Sequence, residues 1–255
     1  MCELAAMIAA CPTDLGHALQ ALIPRGGQTG PHADGWGLAT YEGRAAHVFK
    51  EAQPASQSRC LEFISQSPQR TRLAIAHIRK ANPVNTAISL ANTHPFEREV
   101  QGRTVVFAHN GVLPGVFDLP LGRYRPIGET DSEWAFCLLL ERLALVPGIF
   151  AEEKLGALAQ IVERTALELS ALGKCNFLLS EGRHLFAYGH TDLYAVERAC
   201  RESGCAQRVT LVATEPLTDS EPWRRLPSDR LSVFRDGREI VPSAFAPPSR
   251  RIAIS

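Results

Sequence analysis

Cys2 places a thiol one residue from the start of the chain, in Met1-Cys2-Glu3-Leu4. With Met1 removed, one residue would carry both a nucleophilic sulfur and a free α-amine. An ordinary cysteine, of pKa about 8.5, is only a few per cent thiolate at neutral pH. An α-amine of pKa about 7.7–8.0 is well matched as the accompanying base. Nucleophiles served by the terminal amine are a known variant of the nucleophile–base pair. The plainer reading is a small residue buried in a first strand, and Cys2 alone does not override it.

Four further segments carry groups able to bind or activate a substrate. Arg25–Gly37 reads RGGQTGPHADGWG. It lacks the Gly-Lys-Ser/Thr ending and the GxGxxG spacing of phosphate cradles, so its glycines point to unusual backbone angles or close packing. In Ala76-His77-Ile78-Arg79, strand alternation puts His77 and Arg79 on one face. An arginine at a strand end can grip a carboxylate with two parallel hydrogen bonds, or simply form a structural ion pair. In Phe107-Ala108-His109-Asn110-Gly111, the Asn110 side chain and the Gly111 N–H could supply two donors to a developing oxyanion. Asn-Gly is also a common turn dipeptide, and alone the turn is the better reading. Asp131, inside Thr130-Asp131-Ser132-Glu133, could receive an ammonium group, although a helix first turn favours an acid whatever its function. His77, His94, His109 and Cys2 are the candidates for a metal site, but their spacing matches no HExxH or Cys/His zinc pattern. Neither a metal nor a cofactor is expected.

The elements that must position these groups are readable in outline. Cys2–Ala10 is a short apolar run, as a buried strand would be. Pro12-Thr13-Asp14 predicts a helix start, with Leu15, Leu19 and Leu22 on one face and Pro24 ending it. Leu38–Tyr41 and Ala45–Lys50 flank Glu42-Gly43-Arg44 as a hairpin. A helix is expected near 56–67, a strand at Leu73–Ile78, a polar loop, and a strand at Thr104–Ala108. Behind the capping-box pattern, Trp134–Leu145 is apolar on nearly every side and predicts a deeply buried helix. A second, amphipathic helix follows near 152–172, with Gly173 just beyond. Strands are expected at Asn176–Leu179, Leu185–Tyr188, Thr210–Ala213 and Leu231–Phe234, with Asp236-Gly237 as a hairpin turn.

The totals narrow the class. At 255 residues one domain spanning 1–255 is the better reading, with the stretch after about 241 peripheral. A chain of this length buries roughly 70–75% of its unfolded surface without a staple. The 27 basic and 27 acidic residues cancel, which argues against general nucleic-acid or anionic-membrane binding. Seven cysteines without a CxxC or a dense framework suggest a reducing compartment. With no 18-residue apolar run and no basic-then-apolar leader, a cytoplasmic protein is expected.

Taken in order, Cys2, RGG…DGWG, AHIR, NTHPF, AHNG and ETDSE resemble class II glutamine amidotransferases, most closely the small stand-alone members. The resemblance extends through Asn176-Phe177-Leu178-Leu179-Ser180 and Ala213-Thr214-Glu215-Pro216-Leu217-Thr218, to about residue 240. It implies an α+β fold: the four-layer αββα sandwich of N-terminal-nucleophile hydrolases, two mostly antiparallel sheets between helical layers. It implies that Cys2, aided by its own freed α-amine, attacks the glutamine side-chain amide to give a γ-glutamyl thioester and ammonia, and that water then releases glutamate. Asn110 and the Gly111 N–H would form the oxyanion hole. Arg79 would clamp the substrate α-carboxylate and Asp131 its α-ammonium, with Arg25 and His94 as further substrate-binding candidates.

Two departures bear on this. Lys80 stands where the glucosamine-phosphate synthase branch has a tryptophan covering the substrate. DGWG replaces an Asp-Ser-Ala-Gly-like stretch, so Trp36 is expected to reshape the entrance. The length leaves no space for a synthase domain, so any consumer of ammonia would be a separate synthase. Hydrolysis of another γ-glutamyl conjugate, as in ergothioneine-pathway relatives, and a non-catalytic γ-glutamyl-binding subunit are the alternatives.

Overall fold

The computed structural model describes residues 2–67, 70–81, 86–202 and 205–241, the side chains of 200–205 excepted. Among these, the chain forms β1 (Glu3–Asp14), α1 (Gly16–Leu22), β2 (Trp36–Glu42), β3 (Ala45–Glu51), α2 (Arg59–Gln66), β4 (Arg70–Ile78), β5 (Phe96–Val100), β6 (Arg103–Val112), α3 (Asp131–Ala144), α4 (Leu155–Ser170), β7 (Lys174–Ser180), β8 (Leu185–Gly189), β9 (Tyr194–Glu202), β10 (Cys205–Ala213), β11 (Arg224–Arg225), β12 (Arg230–Arg235) and β13 (Arg238–Ile240). One sheet runs β11-β9-β10-β1-β4-β2-β3 and the other β13-β12-β8-β7-β6-β5. Their neighbouring strands pair antiparallel.

Period-2 alternation builds the layers. On β1, Leu4, Ala6 and Ile8 enter a core shared with Ile75, Val106, Ala108 and Leu178, between the two sheets. Ala5, Met7 and Ala9 point the other way, onto Leu19 and Leu22 of α1 and Leu61 and Ile64 of α2. On the second sheet, Phe107, Phe177 and Phe186 turn outward to Phe136 and Leu140 of α3 and Val162 and Ala166 of α4. The order is helices, sheet, sheet, helices: the expected αββα sandwich. No helix among the described residues is long and apolar enough to cross a membrane.

Several local expectations change. Pro12, Thr13 and Asp14 belong to the end of β1 and not to a helix; α1 starts at Gly16, whose N–H is taken by Asp14 Oδ1 at 3.1 Å. Pro24 does not stop the chain from coiling, because Ile23–Arg25 continue as a 3-10 turn. Trp36 and Gly37 already lie in β2, and the polar stretch before β6 contains β5. The capping box forms by half: Thr130 accepts from the Glu133 N–H, while the Glu133 carboxylate goes to Arg98 at 2.5 Å and to the Gly128 N–H at 2.7 Å. Asp236 and Gly237 take positive φ, 49° and 73°, as the expected hairpin turn requires.

Cys11 is held in a disulfide; Cys2, Cys60, Cys137 and Cys175 are free thiols. The stretch after Val241 lies outside the described residues.

Candidate active site

Three strand ends deliver side chains to one end of the space between the sheets. Cys2 precedes β1 and has the parity of Leu4; Arg79 follows β4 and has the parity of Leu73 and Ile75. Asn110, on β6, has the parity of Val106 and Ala108. β1 and β4 pair with Glu3 opposite Ile78, which brings Cys2 to the chain just beyond. There the Lys80 N–H donates to Cys2 Sγ at 3.3 Å, and the thiol lies 3.2 Å from the Lys80 carbonyl. Across the gap, Asn110 Nδ2 donates to the Cys2 carbonyl at 2.6 Å, joining the two sheets.

Asn110-Gly111 is therefore not a turn. Both residues pair within β6, opposite Asn176 and Cys175 of β7. Gly111 is required by closeness, since a Cβ there would lie 1.7 Å from the Lys174 carbonyl oxygen.

A cavity of about 230 Å³ lies against these groups, lined by Cys2, Arg79, His94, Asn110, Gly111, Asp131 and Lys174 among others. Six of the seven expected site residues thus share one cavity; Arg25 does not. Its guanidinium is 3.0 Å from Glu3 Oε2 and donates to the Pro216 carbonyl at 2.6 Å, and it lines a second cavity.

Arg79 is 3% exposed. Its guanidinium donates to the carbonyls of Asp34 at 3.3 Å and Ala87 at 3.2 Å. Among the described residues no carboxylate forms an ion pair with it, so the structural-ion-pair alternative has no partner. Burial pushes its pKa down. A buried cation without an anion is costly, and the cavity beside it is where an anion would relieve that cost.

Asp131 opens α3 and is held by backbone: its Oδ2 accepts from the Leu113 N–H and its Oδ1 from the Ser132 N–H, each at 2.7 Å. These bonds fix the carboxylate in orientation at the cavity wall. Ser132 Oγ continues the chain of contacts, 3.2 Å from Asp131 Oδ1 and 2.8 Å from His109 Nδ1.

Cys2 is half-buried, and enclosure of its sulfur pushes the thiol pKa up; the Lys80 N–H and the Arg79 guanidinium act the other way. Behind it stand three buried histidines. His77 and His94 stack with ring centroids 4.3 Å apart. Burial lowers the pKa of His77 to about 3 and that of His94 well below the usual range, and it lowers His109 in the same direction. All three are therefore neutral at physiological pH. Among the described residues no group of three or more His, Cys, Asp and Glu is arranged to hold a metal ion.

Sequence reasoning passed over Lys174, Asn92 and the Lys80 backbone as cavity walls. A peptide group leaves no residue-type signal, so the Lys80 contact was not readable. Trp36 does not reshape the entrance as expected: it is 1% exposed, bonds to Glu51 Oε2 at 3.0 Å and packs beneath α1 and α2.

The family model for class-II glutamine amidotransferases matches residues 1–202 and 200–252. The chain is 38% identical over 262 residues to YafJ of Escherichia coli (strain K12), named as a candidate glutamine amidotransferase, covering 94% of this chain and 100% of that protein. It is 29% identical over 219 residues to the gamma-glutamyl-hercynylcysteine sulfoxide hydrolase of Mycobacterium tuberculosis, covering 85% of this chain and 82% of that enzyme. A crystal structure of a predicted glutamine amidotransferase from Pseudomonas aeruginosa superposes with a TM-score of 0.71 at 33% identity, over 94% of this chain and 99% of that one.

Proposed function

Because this chain belongs to the class-II glutamine amidotransferases, we propose that it hydrolyses a γ-glutamyl amide, glutamine first among candidates, with Cys2 as the nucleophile once Met1 is removed. The observation that carries the reading is the buried Arg79, in no ion pair among the described residues, in the same cavity as Cys2.

Arg79 takes the substrate α-carboxylate through its planar fork, and Asp131 takes the α-ammonium. One fixed cation and one fixed anion orient an amino-acid end, leaving the side-chain amide toward Sγ. The α-amine of Cys2 accepts the thiol proton, which an enclosed thiol does not release unaided. Sγ attacks the amide carbon. Asn110 and the Gly111 N–H donate to the oxygen as it gains charge. The C–N bond breaks, the departing amine takes the proton, and water then cleaves the thioester to glutamate and the free thiol. Lys174 lines the cavity beside these groups without an assigned step.

A second reading changes only the amine: the mycobacterial relative is named for acting on a γ-glutamyl conjugate. The same clamp serves both substrates.

The test is glutamate release by protein shown by intact mass to begin at Cys2. Wild type is expected to turn over and to gain one adduct from 6-diazo-5-oxo-norleucine; Cys2→Ala is expected to do neither. Equal turnover by Cys2→Ala rules the mechanism out.

A further inference from the structure

A second cavity, of about 670 Å³, shares Cys2, Asn110 and Lys174 with the first and none of its other walls. We infer that it is the subsite for the departing amine, and that the amine carries a second, positively charged group. This rests on the reading of Cys2 as the nucleophile.

Size is the first argument. Ammonia needs about the room of a water molecule, whose share of liquid volume is about 30 Å³. A chamber of about 670 Å³ lined by the same Cys2 is far larger than that product requires. The glutamyl end has its own place, because Arg79 and Asp131 line the smaller of these two cavities and not the larger.

Charge is the second. The walls carry the carboxylates of Glu3, Asp192, Glu215 and Asp219 against the fixed cations Arg25 and Lys174. Glu3 is neutralised by Arg25 at 3.0 Å, and Asp192 by Arg225 at 3.0 Å. Glu215 comes no nearer than 3.9 Å to Arg25. Among the described residues the Asp219 carboxylate has neither a hydrogen bond nor an ion pair. The unspent charge is therefore negative and sits on the loop after β10.

Two buried polar atoms supply the third. Asn110 Oδ1 and His32 Nδ1 belong to residues of this wall and have no hydrogen-bond partner. Asn110 is 4% exposed and stands where the cavities meet, so its Oδ1 is an acceptor for an N–H of the amine as the amide bond opens.

The step balances without a further reactant. Sγ bonds to the γ-carbonyl carbon, the C–N bond breaks, and the amine leaves through the larger cavity with the proton taken from the thiol. Water then gives glutamate and restores the thiol.

The experiment compares kcat/KM for glutamine, γ-glutamylethylamide and γ-glutamylputrescine, with wild type and with an Asp219→Asn, Glu215→Gln double variant. The expected order is γ-glutamylputrescine, then γ-glutamylethylamide, then glutamine. The double variant is expected to lower the putrescine-to-ethylamide ratio about fivefold, the scale of partly exposed charge pairs. Cys2-dependent turnover with glutamine preferred, or a ratio that the double variant leaves unmoved, overturns the subsite and leaves the nucleophile standing. No Cys2-dependent turnover of any of the three overturns both.

Discussion

The Cys2 sulfur lies against both polar groups of a single residue, 3.3 Å from the Lys80 nitrogen and 3.2 Å from the Lys80 oxygen. A thiol can satisfy both, accepting from the N–H and donating to the carbonyl. A thiolate keeps the first contact and is repelled by the second. The peptide of Lys80 thus holds the sulfur in place; enclosure keeps the thiol protonated against the opposing pull of the Lys80 N–H, which leaves a role for a base.

That base sets the expected pH profile. If the Cys2 α-amine takes the proton, it must be neutral to act, so kcat/KM should be low below and high above about pH 7–8, the range of an α-amine. Burial raises the thiol itself, so unaided ionisation would place the rising limb above the ordinary cysteine range. Initial rates across pH separate the two, and a limb confined to the higher range removes the amine from the mechanism.

Asn110→Ala should act on kcat more than on KM. Removing one oxyanion donor costs about 2.7–4 kcal/mol, roughly a hundred- to a thousandfold in kcat. Here the same Nδ2 also bonds to the Cys2 carbonyl at 2.6 Å, so some loss of thermal stability should accompany it. A variant with normal kcat would take Asn110 out of the oxyanion site.

Arg79→Lys tests the clamp by shape, since charge is kept and the fork is lost. Replacing a bidentate, charge-assisted contact should raise KM for glutamine about 10- to 100-fold. Steady-state kinetics decide it: an unchanged KM would mean the substrate carboxylate goes elsewhere.

The buried histidines predict how stability depends on pH. His77 has a folded pKa of about 3, against about 6.5 when unfolded. Between those values the unfolded chain binds a proton that the folded chain refuses, so stability falls as pH falls through 6.5. On the order of 2 kcal/mol should be lost by pH 5 from His77 alone. His94 and His109 add to it in the same direction. Urea unfolding at the two pH values measures the loss, which should shrink in His77→Gln; no loss in wild type would mean the rings are not held neutral.

Gly111→Ala puts a Cβ 1.7 Å from the Lys174 carbonyl oxygen, with backbone and not a flexible side chain in the way. Overpacking of this kind costs about 1–3 kcal/mol. It should also part β6 from β7 beside Asn110. A melting temperature and turnover like wild type would show that the strands yield more easily than their pairing implies.

What the sequence disclosed depended on whether a residue's type was the signal. The apolar run of β1 and the hairpin of β2 and β3 were legible from pattern, and the apolar α3 behind Thr130 from pattern and cap together. β5 was not: Phe-Glu-Arg-Glu-Val buries only Phe96 and Val100, too little to announce a strand. β9 reads Tyr-Ala-Val-Glu-Arg-Ala, with charges in mid-run, and gains its identity only by pairing with β10. Asn110-Gly111 carried a strong turn signal that sheet pairing overrode, a local preference yielding to a tertiary one. The clustering of Cys2, Arg79, Asn110 and Asp131 rested on resemblance, because nothing in their spacing of tens of residues reports proximity. The larger cavity had no signal at all, since its walls come from six separate stretches of chain.

Cys2 stands on one sheet and its amide neighbour Asn110 on the other, and the layer dividing them is lined by Ala6, Ala39, Ala108, Ala187 and Ala195. Thin spacers of that sort act like shims in a vice. A single bulkier side chain at Ala108, two positions along from Asn110, would open the jaws at the reactive end without touching any group that meets substrate. Interior methyl groups would then set the spacing at that end, and Ala108→Val should alter turnover before it alters folding.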